Sequence, residues 1–168
     1  QCRQVDVHSR RIAREADHCL VEARAAFSQA DFEAALRSYA RAIEFRPNSA
    51  EAWTGQVRAL IELGEFEEAS RWADQALERF PSEPELLAAK AVALARSGDA
   101  EGAISFSDSS IAERGHTPYI WLARGDVLLA RGERRADYCF EKALALAAAD
   151  WFIAWLAARI RVFHQQFS

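Results

Sequence analysis

An acidic residue returns every 34 positions along this chain, as Asp31, Glu65, Asp99 and Glu133. Ala30, Gly64, Gly98 and Gly132 stand immediately before it, and small residues keep the same interval at Ala23, Val57, Ala91 and Gly125. A fixed period in an Ala-rich, 51% hydrophobic sequence restricts the fold sharply, because a unit this short buries its apolar face only against its neighbours. The expected architecture is an all-α solenoid of antiparallel helix hairpins, and such an architecture points to binding rather than catalysis.

Caps and breakers place the helices. Ser49 before an apolar-periodic run, with Glu51 following, predicts an N-cap and an acidic first turn. Ser82-Glu83-Pro84-Glu85 has capping-box spacing, Thr117-Pro118 repeats the theme, and Asp150 is positioned to cap the last helix. Pro47 and Pro81 end the helices before them. Gly64, Gly98 and Gly132 suit tight turns with left-handed backbone. The predicted helices are 9–29, 31–46, 50–63, 65–80, 84–97, 99–113, 118–131, 133–147 and 150–167, with residues 1–8 as a frayed lead-in.

These residues resemble the tetratricopeptide repeat (TPR) family. Residues 50–83 carry the pattern best, with Trp53, Val57, Gly64, Phe66, Ala69, Ala76 and Pro81. Residues 16–49 supply Cys19, Ala23, Phe32, Ala35, Tyr39, Ala42 and Pro47. Residues 84–117 depart from it at Ala100, Ser107, Ser110 and Gly115, and residues 118–150 fall one residue short near Arg134-Arg135. The resemblance implies a right-handed α-solenoid of about four TPR units plus a C-terminal helix. Its domain plan is a lead-in over 1–15, repeats over 16–150, and a capping helix or the start of a fifth repeat over 151–168. It also implies a concave groove, lined by the first helix of each pair, that takes a peptide or protein segment.

If that geometry holds, Arg24, Arg58, Val92, Asp126 and Arg159 form one ladder of groove positions, and Leu20, Thr54, Ala88, Leu122 and Trp155 a second. A third runs through Asp17, Glu51, Glu85, Tyr119 and Phe152. The candidate peptide-binding residues are Arg24, Arg58, Tyr119, Leu122, Asp126 and Trp155, reading as a cationic end and an apolar end. A guanidinium suits a carboxylate because it makes two parallel hydrogen bonds. The competing expectation is that Arg24 and Arg58 pair internally with Asp17, Glu51 or Glu62. Chaperone-binding TPR domains clamp a C-terminal carboxylate with Lys and Asn; here the single Asn48 falls in a turn and the only lysines are Lys90 and Lys142, so that clamp is not expected.

The C-terminal helix is unusual for a cap, which needs a polar outer face. Phe152, Trp155, Leu156, Ile160, Phe163 and Phe167 form one apolar stripe, flanked by Trp151. Either further repeats cover it, or it is a self-association face, with Trp151, Phe152, Ile160, Phe163 and Phe167 as candidates for a homodimer.

Other chemistry is sparse. His8, His18, His116 and His164 are scattered, the three cysteines are widely spaced, and neither a metal site nor a cofactor is expected. Ser105 to Ser110 has no accompanying base; its hydroxyls are expected to bond back to helix carbonyls, with the helix over 99–113 the softest joint. A net charge of −4 argues against a nucleic-acid partner, and no stretch is long and apolar enough for membrane insertion. The expectation is therefore a non-enzymatic protein-binding scaffold, cytoplasmic and with reduced thiols. The absence of Met suggests a processed chain or a fragment of a larger, bacterial polypeptide, in which this region could serve as a regulatory domain of an enzyme or signalling protein.

Overall fold

The computed structural model describes residues 2–167, and side chains over residues 4–165. Among the described residues there are nine helices and no strand: α1 Cys2–Ser28, α2 Phe32–Phe45, α3 Ala50–Glu62, α4 Phe66–Arg79, α5 Pro84–Arg96, α6 Ala100–Ala112, α7 Pro118–Ala130, α8 Ala136–Ala147 and α9 Trp151–Phe167. Successive helices pair as four hairpins (α1–α2, α3–α4, α5–α6, α7–α8) stacked in chain order, with α9 following.

The 34-residue clock is the turn inside each hairpin. Ala30, Gly64, Gly98 and Gly132 all take positive φ, at 60°, 81°, 96° and 69°. The amide of the acid that follows then bonds back to a carbonyl five residues earlier, as in Glu65 N to Leu60 O at 2.9 Å and Glu133 N to Leu128 O at 2.9 Å. The acid starts the next helix. Asp31 and Asp99 cap it through side-chain bonds to Ala34 N at 3.1 Å and Gly102 N at 2.9 Å. Glu65 stands at the same place with no such bond. Glu133 instead collects Arg131 and Arg135.

Between hairpins the predicted caps divide. Ser49 accepts from Ala52 N at 3.2 Å, and Asp150 from Phe152 N at 3.0 Å. Glu83 and Thr117 make no side-chain cap bond; the Thr117 hydroxyl donates to Glu85 instead, 2.8 Å away. Trp53 closes the turn before α3 by donating its indole N–H to Pro47 O at 2.9 Å.

Three predicted segments differ. The lead-in over residues 1–8 is helical from Cys2, because nothing there breaks the helix and Asp6 pairs with Arg10 one turn on. The shortened turn at Arg134-Arg135 delays α8 to Ala136, through two tight backbone bonds, Ala136 N to Glu133 O and Asp137 N to Arg134 O. In α6, Ser109 bonds back to Ser105 O as expected, but Ser107 and Ser110 bond outward, to Arg124 and to Pro84 O.

The core is mostly alanine against aromatic rings. Gly55 shows how close the packing is: a β-carbon there would sit 2.3 Å from the Tyr39 ring. One apolar cluster joins the first hairpin to the fourth, holding Phe27 and Phe32 together with Trp121, Phe140, Phe152 and Ile160. The element that closes this loop is α9.

Helix α9 packs on α8, with Arg161 on Asp137 at 2.7 Å, and its inner face reaches the leading helix of all four hairpins. Phe152 meets Phe27 edge-on at 5.8 Å, and Trp155 stacks on Phe32 at 6.2 Å. Arg159 grips Glu62 through its carboxylate and its carbonyl, both at 2.9 Å. Phe163 packs edge-on against Phe66 at 5.8 Å and lies beneath the Arg96 guanidinium at 4.1 Å. His164 Nε2 lies 2.7 Å from Asp126 Oδ1.

Candidate functional site

With α9 seated there, the inner face divides in two. One part is filled by the chain itself and the other stays open.

The filled part contains half of the candidate groove residues. Leu122 and Asp126 are 1% exposed. Asp126 takes Arg96 Nη2 at 2.8 Å on one oxygen and His164 on the other, so its ladder position faces a partner from α9 and not solvent. Trp155 is half-buried between the rings of Phe32 and Phe152. The candidate self-association residues lie in the same seam. Phe152 and Ile160 are buried and Phe163 half-buried within the chain's own fold, while Trp151 remains 65% exposed. The Phe167 side chain lies outside the described residues. The apolar stripe therefore is not an open face: the curvature of the stack brings the first hairpin round to meet it.

The open part is a cleft of about 510 Å3 between α1 and α3, walled at its far side by the start of α5. Arg24, Phe27 and Ser28 come from α1, Tyr39 from α2, Glu51, Thr54, Gly55 and Arg58 from α3, and Glu83 and Glu85 from the entry to α5. Helical spacing explains the set, since Glu51, Thr54, Gly55 and Arg58 occupy one face of α3 at intervals of three and four.

The two arginines fare differently. Arg24 pairs with Glu51, Nη2 to Oε2 at 2.8 Å with Nε on the other oxygen. That hydrogen bond holds the Glu51 carboxyl below the ordinary 4.5. Both side chains stay about half exposed, so the pair adds little to stability and its partners are exchangeable. Arg58 makes no ion pair among the described residues; Glu62, one turn on, belongs to Arg159. Its guanidinium lies between two rings, 3.7 Å from the centre of Tyr119 and 4.8 Å from that of Phe27. Tyr119 lies in α7 and reaches α3 past α5, which measures how tightly the inner face curves. Burial pushes the hydroxyls of Tyr39 and Tyr119 up, so both remain neutral donors.

Two polar atoms of this region, Thr54 Oγ1 and Arg58 Nε, are buried with no hydrogen-bond partner. Native proteins rarely leave such groups unused. Glu83 on the opposite wall has its carboxyl pushed above 4.5, first by burial and then by the nearby charge of Glu85. Sequence reasoning placed Arg24 and Arg58 but missed the roles of Tyr39, Glu83 and the Arg58 stacking. The last depends on Tyr119 and Phe27, which lie 61 and 31 residues away from Arg58 in opposite directions.

Among the described residues no three His, Cys, Asp or Glu side chains gather as a metal site, and no helix is long and apolar enough to cross a membrane. Cys19 and Cys139 are buried free thiols, both pushed up by burial.

Comparison with known proteins agrees with this geometry. Residues 26–93 match the family model described as tetratricopeptide repeat. No curated protein sequence matches the chain. Among solved structures, a thermophilic TPR protein of Thermus thermophilus is similar at a TM-score of 0.70 and 23% identity, over 88% of this chain and 81% of that one. The TPR2B domain of yeast Sti1, in a pHsp70 complex, is similar at 0.57 and 22%, over 77% and 95%. YrrB, a TPR protein with an unusual peptide-binding site, is similar at 0.51 and 17%, over 85% and 74%. The repeat match, the four stacked hairpins and these likenesses together lead to one conclusion: residues 26–93 carry tetratricopeptide repeats, and the whole chain has the helical-repeat fold seen in TPR proteins.

Proposed function

We propose that this chain is a non-enzymatic interaction module that binds a carboxylate-bearing peptide segment in the cleft between α1 and α3. The observation that carries the reading is Arg58: a guanidinium with no ion pair among the described residues, held against the rings of Phe27 and Tyr119, on the wall of a cleft of about 510 Å3. A planar cation fixed in this way has little rotamer freedom left to lose, so a carboxylate gains both its hydrogen bonds at small entropic cost. Thr54 Oγ1 offers a further polar atom, and Glu51 marks where a ligand acid could displace an internal one on Arg24. The peptide-binding TPR proteins to which the fold is similar support the general mode. The Lys and Asn clamp of chaperone-binding domains has no counterpart here, which favours an acid inside a segment over that terminal-carboxylate mode.

The test is selection of random displayed peptides on the immobilised protein. Enriched sequences should carry an Asp or Glu, and Arg58→Glu should weaken their binding about 30-fold or more with circular dichroism unchanged. Selected peptides that lack acids, or that bind Arg58→Glu equally well, would overturn the reading.

A further inference from the structure

We propose that α9 is an exchangeable element, and that its seat accepts α9 from a second copy of this chain to form a reciprocal dimer. The inference starts at the hinge. Between α8 and α9 the chain turns through Ala148 at φ 42° and Ala149 at φ 69°, two adjacent alanines in left-handed backbone. A side-chain-bearing residue is strained there, and alanine is also the residue that most prefers the right-handed helix. Three of the four turns inside hairpins solve the same problem with glycine, and every turn between hairpins contains proline or glycine. From Ala136 to Phe167 there is neither, so apart from the Asp150 cap nothing in the sequence stops one helix from running through the point where the fold bends it.

The seat supplies the second half. There α9 is held by Phe27, Phe32, Glu62, Phe66, Arg96 and Asp126, matched ring to ring and charge to charge. When the hinge straightens, α9 leaves this surface and exposes an apolar strip bearing Glu62 and Asp126. The α9 helix of another copy carries the complementary residues in the right order: Phe152 and Trp155, then Arg159, then Phe163 and His164. Every ring and charge pairing that opening breaks within one copy is remade between the copies. The two states therefore differ in hinge strain, in the Asp150 cap given up for the helical turn gained, and in the entropy of association. The occupant is set by identity of pairings, not by general stickiness. Trp151, the exposed aromatic at the start of α9, is not needed for it.

The Arg159–Glu62 pair allows a clean experiment on the full chain. Arg159→Glu and Glu62→Arg each place like charges together within a single copy. In a mixed exchanged dimer both opposite-charge pairs return. The acid introduced at position 159 of one copy meets the base introduced at position 62 of the other, and the native Arg159 and Glu62 meet at the second seat. The two variants would be mixed at high concentration, warmed below the unfolding transition, cooled, and read by light-scattering mass behind size exclusion. The expected result is a species of twice 18.8 kDa that is more abundant in the mixture than in either variant alone. Adding Ala148→Gly with Ala149→Gly relaxes the bend and weakens the straight helix, and should lower dimerisation roughly a thousandfold per hinge. Circular dichroism of each variant confirms folding. A mixture that stays monomeric at every concentration would overturn the proposal, as would a dimer indifferent to the hinge glycines.

Discussion

Replacing Asp126 with Asn should be among the most damaging conservative changes in this protein. The Asp126 side chain is 2% exposed, that of its partner Arg96 10%, and that of His164 15%. Asn keeps the shape and removes the charge, so the guanidinium of Arg96 stays buried without its counter-ion. Breaking one side of such a pair costs about 3–5 kcal/mol, because the remaining charge keeps its full desolvation penalty. The cation–π contacts of Arg96 with Phe163 at 4.1 Å and Phe66 at 5.6 Å hold it in place, so it cannot swing out to water. At about 2–4 °C per kcal/mol for a domain of this size, the midpoint of thermal unfolding should fall by ~6–20 °C. Removing both charges is a different matter: Arg96→Met with Asp126→Leu should be neutral or stabilising, since no orphan charge remains. Thermal and urea unfolding followed by circular dichroism would measure both, and amide exchange would show α9 opening first in Asp126→Asn. A loss below about 1 kcal/mol in Asp126→Asn, or a double variant as unstable as the single, would refute the reasoning.

Gly55→Ala drives a methyl into the Tyr39 ring and should destabilise by about 1–3 kcal/mol; Tyr39→Leu in the same chain should recover much of it, read by urea unfolding. Ala30→Gly relieves a left-handed alanine at φ 60° and should stabilise by roughly 1 kcal/mol, whereas glycine at Ala35, buried within α2, should destabilise by a similar amount or more. The carboxyls of the cleft predict opposite pH responses. Glu51 titrates below 4.5, so its contribution is complete above the ordinary value and disappears as pH falls through the folded one; with the pair half exposed it is less than about 1 kcal/mol, and Arg24→Ala should abolish that acid-side loss. Glu83 titrates above 4.5, so its contribution is present below that value and is lost as pH rises through the folded one; Glu83→Gln should therefore raise stability at neutral pH, measured by urea midpoints across the acid range.

What the sequence disclosed follows the range of the forces involved. The hairpin turns were legible because a left-handed residue, a capping acid and a helix start are local; Gly98 and Asp99 settle their geometry with neighbours at most five residues away. The division of Arg24 and Arg58 was half legible. The neighbouring-helix pairing to Glu51 was foreseeable, but Arg159 reaching Glu62 spans 97 residues and needs the curvature of the whole stack. The same holds for α9. Its stripe was readable as unsatisfied apolar surface, yet nothing local says that Phe27 and Phe32 return to cover it. The α1 extension was missed for the opposite reason. Residues 4–15 are almost entirely exposed, and local propensity and exposed pairs such as Asp6–Arg10 carry the helix where apolar periodicity gives no signal.

The most direct test of the account is an amide chemical-shift map of the protein titrated with a selected acidic peptide. Shifts centred on Arg24, Thr54 and Arg58, with amides from Trp155 to His164 unmoved, are the predicted result: an open cleft beside a seat that the chain fills itself. Shifts concentrated on α9 and its seat, or on the outer helices α4 and α6, would contradict it.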